Sequence, residues 1–493
     1  MCGIVGIIGS DQAAKESLLG LTTLQHRGQD AAGILTHDRE GFHHVKDLGL
    51  VESVFKKEQF QTLSGAIAIG HTRYCTIGKG DVIDTQPFVE TFPYGIGFVH
   101  NGNTVNYQSL IDRQIKQSNR HPFSKSDGEV LLNLVAEGFI QSQAAYERDL
   151  DFKQICKAVE NVYQHVNGSF SVALLIAGQG LVAFRDANGI RPLVWGKKKG
   201  NLPTGEAHMV ASESVALNFN GYEIERSLEP GEILFVNQKT GKVHTQILKQ
   251  KAKRPCMFEW VYFASPESII DETPVYATRI ELGKQLAKKV KQVFEERGIQ
   301  PEIIVPVPET SRIAAIALSE EMNLPYREVL IKNRYVKRTF ILESDQRRKK
   351  AVEMKLSPVR SELKGKKVAL VDDSIVRGTT SSRLIDHVKN AGAKEVYFVS
   401  TCPPIKHPCF YGIDFPNEKE LLAYGKSFNE IERSIGADAV VYISQEGLQS
   451  AIEKSGEGQP ISNPCMACLD GNYPTDVADG FRFAASRVQD RGQ

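Results

Sequence analysis

Residues 367–391 constrain the fold of this chain more than any other stretch. The apolar run at 367–371 is typical of a buried strand, and a glycine-bearing polar loop separates it from a helical pattern that continues through Ala391. Earlier in the chain, an apolar run at 303–305 is likewise followed by a loop at 306–311 and a helical pattern. This alternation predicts an α/β domain with an open, mainly parallel sheet.

The loop that follows the apolar run at 367–371 carries groups that suit a sugar phosphate. Gly378, Thr379 and Thr380 stand where the next helix begins, and backbone N–H groups and the helix dipole attract phosphate at such a position. The adjacent carboxylates of Asp372 and Asp373 suit ribose hydroxyls or a hydrated divalent cation, although such a pair often only caps a helix. The sequence lacks the P-loop pattern, so a nucleotidase of that class is disfavoured.

A strongly basic segment lies between these two loops. Residues 332–350 include eight positive and two negative side chains. Such a run is commonly a solvated surface, and it could also bind nucleic acid. Between two candidate phosphate loops, we interpret it as a mobile lid that brings cations to a multiply phosphorylated substrate and excludes water.

A second candidate centre lies at the N-terminus, where Cys2 directly follows Met1. Removal of the methionine would place a free α-amino group beside the thiol. An α-amino group has a pKa of roughly 7.7 to 8.0, so it can serve as the base for its own thiol nucleophile near neutral pH. Alternatively, Cys2 is only a buried residue at the start of the apolar strand that follows.

Three other positions in the first half offer complementary groups. Arg73 follows an apolar strand and could bind a carboxylate, or simply face solvent. Asn101 and Gly102 could donate two uncharged hydrogen bonds to an oxyanion, although Asn-Gly is also a common hairpin signal. Ser126 and Asp127 precede a helical pattern, where either could serve only as a cap.

Length and composition limit the class of protein. At 493 residues the chain is too long for one core, so two or three domains are expected. The 60 basic and 59 acidic residues balance, which disfavours a general nucleic-acid binder. No apolar run approaches the roughly 18 residues of a membrane span, and the eight cysteines lack the density of a secreted disulfide framework. We expect a cytoplasmic protein that contacts neither nucleic acid nor membrane.

Several motifs of the first half occur together in one known family. They resemble, in order, the glutaminase domain of the class II glutamine amidotransferases. The matching stretches are residues 2–6, 25–30, 71–74, 100–103, 126–127, 184–193 and 211–214.

This resemblance implies an N-terminal-nucleophile hydrolase fold, which is an α+β sandwich of two antiparallel sheets between helices. It implies that Cys2 is the nucleophile and that Asn101 and Gly102 form the oxyanion hole. It further implies that Arg73 binds the α-carboxylate of glutamine and Asp127 its α-amino group.

The second half resembles the type I phosphoribosyltransferases. Residues 372–381 are similar to their motif for phosphoribosyl pyrophosphate (PRPP), and residues 306–311 to their pyrophosphate loop. The whole chain is thus similar to the glutamine PRPP amidotransferases. The family resemblance implies that ammonia from glutamine attacks C1 of PRPP, giving 5-phosphoribosylamine, glutamate and pyrophosphate in the first step of de novo purine biosynthesis. It also implies a homotetramer that purine nucleotides inhibit.

The same resemblance assigns residues to PRPP and to Mg²⁺. The residues for PRPP are Asp372, Asp373, Ser374, Arg377, Gly378, Thr379, Thr380, Ser311, Lys332 and Arg338. Those for Mg²⁺ are Ser311, Asp372 and Asp373.

We expect a glutaminase domain at 1–252, a phosphoribosyltransferase domain at 253–450 and a C-terminal segment at 451–493. The Lys-, Arg- and Pro-containing stretch at 249–255 is the predicted boundary. Two other functions fit parts of the sequence. An aminosugar synthase would need a sugar-isomerase domain in place of residues 372–381, and a PRPP-sensing regulator would not need the glutaminase groups.

Four cysteines form a possible ligand set. Cys465 and Cys468 form a Cys-x-x-Cys pair, and Cys256 and Cys409 complete four thiols. Four thiolates suit a four-iron, four-sulfur cluster or a structural zinc, and free thiols are the third possibility. The set is similar to the cluster ligands of the Bacillus-type members, which implies a 4Fe-4S cluster here.

The N-terminus differs from those Bacillus-type members. They typically carry a short propeptide ahead of the nucleophile, whereas only Met1 precedes Cys2 in this sequence. We therefore expect removal of Met1 alone to expose the Cys2 amine.

Overall fold

The computed structural model describes residues 1–74, 80–144, 147–332, 356–415, 417–456, 458 and 460–482. Arg338 and most of the basic segment at 332–350 lie outside these ranges. Among the described residues, no helix combines the length and apolar character needed to cross a membrane.

The first half of the chain contains a sheet of seven antiparallel strands. Its central strand, Gly3–Ile8, is buried along its whole length and pairs with Ile67–Arg73 on one side and Glu206–Ala211 on the other. Burial of both faces explains why apolar residues and glycine succeed one another there without polar alternation. The order across the sheet is Glu223–Ser227, Val194–Lys199, Glu206–Ala211, Gly3–Ile8, Ile67–Arg73, Ala31–His37 and Phe42–Leu48.

A second antiparallel sheet of six strands belongs to the same domain. Its strand Ile96–Thr104 pairs with Gly168–Ile176 over nine residues, which places Asn101 opposite Ser171. Asn101 and Gly102 therefore lie inside a strand, and no hairpin forms at this Asn-Gly pair. The order across the sheet is Val243–Ile247, Glu232–Asn237, Gly180–Arg185, Gly168–Ile176, Ile96–Thr104 and Phe88–Glu90.

The two sheets pack face to face. Ile4 and Ile69 of the first sheet share one buried cluster with Val99 and Leu181 of the second. Gly6 permits this close approach, because a Cβ at Gly6 would lie 3.0 Å from a methyl group of Leu181.

Helices cover the outer faces of this sandwich. Ala13–Thr23 and Ser214–Phe219 pack on the first sheet, and Asp127–Gln141 and Phe152–His165 pack on the second. The four layers confirm the predicted α+β sandwich. The other helices in the described part of this half are Val51–Val54, Lys57–Phe60, the 3₁₀ turn Val82–Asp84 and Tyr107–Ser118.

The second half is built on four strands that are all parallel, which confirms the predicted α/β domain. Their order is Ile303–Pro306, Lys367–Asp372, Glu395–Ser400 and Ala439–Tyr442. Within the described residues, its helices are Glu259–Phe263 (a π turn), Val275–Arg297, Arg312–Met322, Arg360–Leu363, Thr379–Asn390, Glu418–Glu420 (a 3₁₀ turn), Phe428–Ile435, Gln445–Ser455 and Ala467–Asp470. Two short strand pairs complete it, namely Ile269–Ile270 with Thr273–Pro274 and Leu330–Lys332 with Leu356–Pro358.

Predicted site residues lie at the N-terminal ends of two helices. Ser126 caps Asp127–Gln141, since its hydroxyl oxygen accepts a hydrogen bond from the Gly128 amide at 3.3 Å. Thr379–Asn390 begins directly after Gly378, whose φ of 77° lies in the left-handed region that glycine adopts without strain.

Candidate active site

A small cavity lies where strands of the two antiparallel sheets come together. Cys2 at the start of the first strand, Arg73 at the end of its neighbour and Gly102 of the second sheet all reach it. The remaining lining residues are Tyr74, Gln86, His100, Ser126 and Asp127. The fold therefore gathers groups that are separated by up to 125 positions in the sequence.

The backbone of Cys2 is held from both sides. Its amide nitrogen donates to Oδ1 of Asn101 at 3.1 Å, and its carbonyl oxygen accepts from Nε of Arg27 at 3.0 Å. The thiol sulfur lies 3.9 Å from the Tyr74 carbonyl oxygen. Met1 is buried, and burial lowers the pKa of its α-amino group to about 6.

Asn101 and Gly102 provide an environment that suits a developing negative charge. Asn101 is buried, and its Nδ2 has no hydrogen-bond partner within the described parts of the chain. An unpaired buried donor costs free energy, which a bound oxyanion would recover. A Cβ at Gly102 would lie 2.0 Å from the Ser169 carbonyl oxygen, so only glycine fits this position.

Opposite charges flank the cavity. Arg73 is largely buried, and its guanidinium lies 3.8 Å from Oδ2 of Asp84. Asp127 accepts a hydrogen bond from the Thr104 amide at 2.8 Å, and its other oxygen lies 3.8 Å from Nδ1 of His100. Burial lowers the pKa of His100, which favours the neutral imidazole. A cation and an anion beside one thiol complement the carboxylate and ammonium groups of an α-amino acid.

A larger cavity of about 440 Å³ lies between the two halves of the chain. The second half contributes seven of the predicted PRPP residues, and the first half contributes Met1 and Tyr74 among others. Tyr74 lines both this cavity and the small one, so the two cavities are neighbours. The seven predicted residues are Asp372, Asp373, Ser374, Arg377, Gly378, Thr379 and Thr380.

The two aspartates at the end of strand Lys367–Asp372 have raised pKa values. Burial, together with the charge of Asp373, raises the pKa of Asp372 well above its ordinary value. Burial raises the pKa of Asp373 to about 6, while the Ser374 hydroxyl donates to its Oδ1 at 2.8 Å. Two neighbouring carboxylates that are costly to ionise indicate a site for a cation or for several hydroxyl donors.

The other residues predicted for PRPP have different surroundings. The buried Ser311 hydroxyl donates to the Val307 carbonyl at 2.5 Å, and Ser311 does not line the larger cavity. Lys332 is exposed, with its Nζ 3.9 Å from Oε1 of Glu309. Arg377 borders the cavity, but its Nε donates to Oε2 of Glu420 at 2.8 Å.

The four candidate ligand cysteines are all buried in one apolar cluster of the second half. Cys256 and Cys465 form a parallel bridge in which the Cys465 amide donates to the Pro255 carbonyl at 2.8 Å. The Cys468 carbonyl accepts from the His407 amide at 3.0 Å, which brings the loop of Cys409 alongside.

Burial raises the pKa of each of these thiols, that of Cys256 to about 11. Within the described residues, no group of three or more His, Cys, Asp or Glu side chains is arranged to hold a metal ion.

Known protein families match both halves. The glutamine amidotransferase domain family matches residues 71–218, and the phosphoribosyl transferase domain family matches residues 278–409. The amidophosphoribosyltransferase of Pasteurella multocida is 41% identical over 476 residues, which cover 96% of this chain and 93% of that protein. That of Methanocaldococcus jannaschii is 40% identical, with 97% of this chain and 98% of that protein covered.

A solved structure is similar over nearly the full length. The glutamine PRPP amidotransferase from B. subtilis, complexed with ADP and GMP, is 36% identical, covers 97% of this chain and 98% of its own, and has a TM-score of 0.82. The chain therefore belongs to the amidophosphoribosyltransferase family, pentosyltransferases that join a glutamine amidotransferase domain to a phosphoribosyltransferase domain and carry out the first step of purine biosynthesis.

Proposed function

We propose that the Cys2 thiolate attacks the side-chain amide carbon of glutamine. The oxyanion that forms accepts hydrogen bonds from Nδ2 of Asn101 and the backbone N–H of Gly102. The C–N bond then breaks as the Cys2 amine returns the proton it took from the thiol to the leaving nitrogen, which departs as ammonia, and water hydrolyses the thioester to glutamate and free thiol. The observation that supports this proposal most strongly is the buried, unpartnered Nδ2 of Asn101 beside the backbone of Cys2.

Recognition of glutamine is assigned to the flanking charges. Arg73 binds the α-carboxylate and Asp127 binds the α-ammonium group, because both line the Cys2 cavity with opposite charge. The amine of Cys2, once Met1 is removed, is the base for the thiol.

The larger cavity is the proposed PRPP site. Gly378, Thr379 and Thr380 bind a phosphate at the start of helix Thr379–Asn390, and Asp372 and Asp373 accept hydrogen bonds from ribose hydroxyls. Ammonia forms a bond to C1 as the bond from C1 to pyrophosphate breaks, and the product loses a proton as 5-phosphoribosylamine.

The family uses Mg²⁺ with PRPP, and the two aspartates fit such a cation. Burial raises the pKa of both carboxyl groups, and a bound cation would favour their ionised forms. Ser311 would have to give up its bond to Val307 to join them. When bound, the ion neutralises the charge of the pyrophosphate group.

We also propose a 4Fe-4S cluster on Cys256, Cys409, Cys465 and Cys468, whose thiols would have to move closer together to bind it, since they form no metal-binding group among the described residues. Buried thiols with raised pKa values are poor thiolates unless cations compensate their charge. Arg191 supports this assignment. Arg191 is fully buried, and its guanidinium nitrogens have no hydrogen-bond partner in the described chain. Its positive charge partly offsets the effect of burial on the pKa of Cys256 and Cys409. Cluster sulfur atoms would accept those hydrogen bonds.

The remaining properties rest on family resemblance. We propose a homotetramer inhibited by purine nucleotides, in keeping with the ADP and GMP bound to the B. subtilis protein. None of the seven described cysteines forms a disulfide, which suits the proposed location in the reducing cytoplasm. The proposed domains are 1–252, 253–450 and 451–493, and the last strand of the sandwich ends at Ile247. Lys332 and Arg338 belong to the proposed lid.

Labelling with a glutamine-like chloroketone tests the glutaminase assignment. We expect mass spectrometry to find one alkyl group on Cys2, at the N-terminus of the mature chain, and expect excess glutamine to prevent it. Alkylation of another cysteine, or labelling that glutamine does not slow, would overturn the assignment.

A further inference from the structure

Arg27 lies wholly inside the protein and holds the nucleophile's backbone. Its side chain has no solvent exposure, and Nε donates to the Cys2 carbonyl oxygen at 3.0 Å. A change in the direction of this guanidinium would therefore move the carbonyl of Cys2. Contacts that hold the Arg27 guanidinium in place therefore also hold the Cys2 carbonyl in place.

Two carboxylates fix the other guanidinium nitrogens of Arg27. One terminal nitrogen donates to Glu213 at 2.6 Å and to Glu259 at 2.9 Å, and the second donates to Glu259 at 2.9 Å. The fork between Arg27 and Glu259 is therefore bidentate, the geometry that best defines the guanidinium plane. The Glu259 side chain is fully buried.

These carboxylates come from different domains. Glu213 follows the strand Glu206–Ala211 of the sandwich, whereas Glu259 begins the π turn Glu259–Phe263 of the second half. The same turn supplies Tyr262 and Phe263 to the larger cavity. The side chain of Glu259, in the phosphoribosyltransferase half, thus contacts Arg27 in the glutaminase half.

The contacts of Glu259 leave it little freedom. Among the described residues, the Glu259 side chain accepts hydrogen bonds only from Arg27, and Nη1 of Arg191 lies 3.6 Å from its Oε1. A buried carboxylate that loses its cation is strongly destabilised, so Glu259 and Arg27 hold each other in place.

We propose that Glu259 is a positioning residue for the glutaminase reaction, acting through Arg27 on the backbone of Cys2. The inference rests on the proposed role of Cys2 as nucleophile. Glu259 touches neither the Cys2 cavity nor the larger cavity. Its side chain can therefore act on the Cys2 cavity only at a distance, and Arg27 provides the connection.

Glu259→Gln tests this role, because the amide keeps the shape but loses the charge and one acceptor. We expect glutamine-dependent synthesis to fall about 100-fold in kcat, the loss that a displacement of about 1 Å causes, with KM for glutamine little changed. Alkylation of Cys2 by the chloroketone should slow in parallel. Synthesis from ammonia, which does not use Cys2, should change little.

A matched control is Glu232→Gln. Glu232 is also buried and makes a bidentate pair with Arg226, at 2.6 and 2.7 Å, but Arg226 does not contact Cys2. This variant should share any general loss of stability, while its glutamine use remains as in the wild type.

Glu259→Asp is the second variant, since it keeps the charge and should fold even if Glu259→Gln does not. This variant should lose part of its glutamine-dependent synthesis and keep its ammonia-dependent synthesis. The inference is overturned if the folded variants use glutamine and react with the chloroketone like the wild type, or lose both activities equally. Failure of the proposed function is distinguishable, because Cys2→Ala would then still use glutamine.

Discussion

The side-chain amide of Asn103 donates a hydrogen bond to the main-chain carbonyl of Phe410 at 2.7 Å, across 307 positions of sequence. Asn103 lies two residues beyond Asn101, and Phe410 directly follows Cys409. The Ser169 hydroxyl, on the neighbouring strand, donates to the Tyr411 carbonyl at 2.9 Å. The strand with the proposed oxyanion hole thus rests against the loop with a proposed cluster ligand.

Asn103→Ala should weaken glutamine use by loosening this support. The buried Phe410 carbonyl would lose its donor, so we expect the free energy of unfolding to fall by about 1 to 3 kcal/mol. Glutamine-dependent synthesis should fall more than ammonia-dependent synthesis. Denaturant titration and the two assays measure these effects.

The control is Asn188→Ala, because Asn188 makes a similar bond to the Ala252 carbonyl at 2.9 Å away from both cavities. It should lose stability without a preferential loss of glutamine use. A larger loss of ammonia use than of glutamine use in Asn103→Ala would contradict the proposed support.

Binding of Mg²⁺ and PRPP should weaken as the pH falls through about 6. Burial raises the pKa of Asp373 to about 6 in the ligand-free protein, so its carboxyl group is increasingly protonated below that pH. The proposed site needs the ionised form, and the bound cation would favour ionisation. Calorimetric titration between pH 5 and about 8 should show the affinity rising to a plateau.

Asp373→Asn should bind more weakly and lose the part of this pH dependence that Asp373 contributes. An unchanged affinity profile in this variant would show that another group controls binding.

Protein prepared without oxygen should contain iron and acid-labile sulfide in equal amounts, about four of each per chain. Cys465→Ser should lose both, because it removes one of the four proposed ligands. Cys156→Ser is the control, since Cys156 is buried in the helix Phe152–His165 of the other domain. Zinc without sulfide in the wild type would overturn the cluster assignment.

Local sequence patterns predicted much of this molecule. The strand at 367–371 and the helix ending near Ala391 appear as Lys367–Asp372 and Thr379–Asn390, because a buried apolar run followed by a glycine and a helical stripe leaves few alternatives. The Asn-Gly pair at 101–102 was ambiguous. Its strand forms because nine residues find partners in Gly168–Ile176, which no local pattern shows.

The contacts that assemble the site could not be predicted. Arg27 contacts Glu259 across 232 positions, and although Arg27 lies in a matching stretch, nothing in the sequence pairs it with Glu259. Tyr74 directly follows Arg73, a predicted glutamine-binding residue, yet only the structure shows that Tyr74 lines both cavities. The hydrogen bond from the Ser311 hydroxyl to the Val307 carbonyl likewise depends on the conformation of the loop at 306–311.

The comparison of glutamine with ammonia in Cys2→Ala tests the central assignment most directly. Pyrophosphate release from Mg²⁺ and PRPP is measured with either nitrogen source, beside the wild type. The assignment predicts that the variant makes no measurable product from glutamine and retains synthesis from ammonia, because that step needs only the larger cavity. Glutamine use that survives in Cys2→Ala, or loss of both activities in a folded variant, would contradict it.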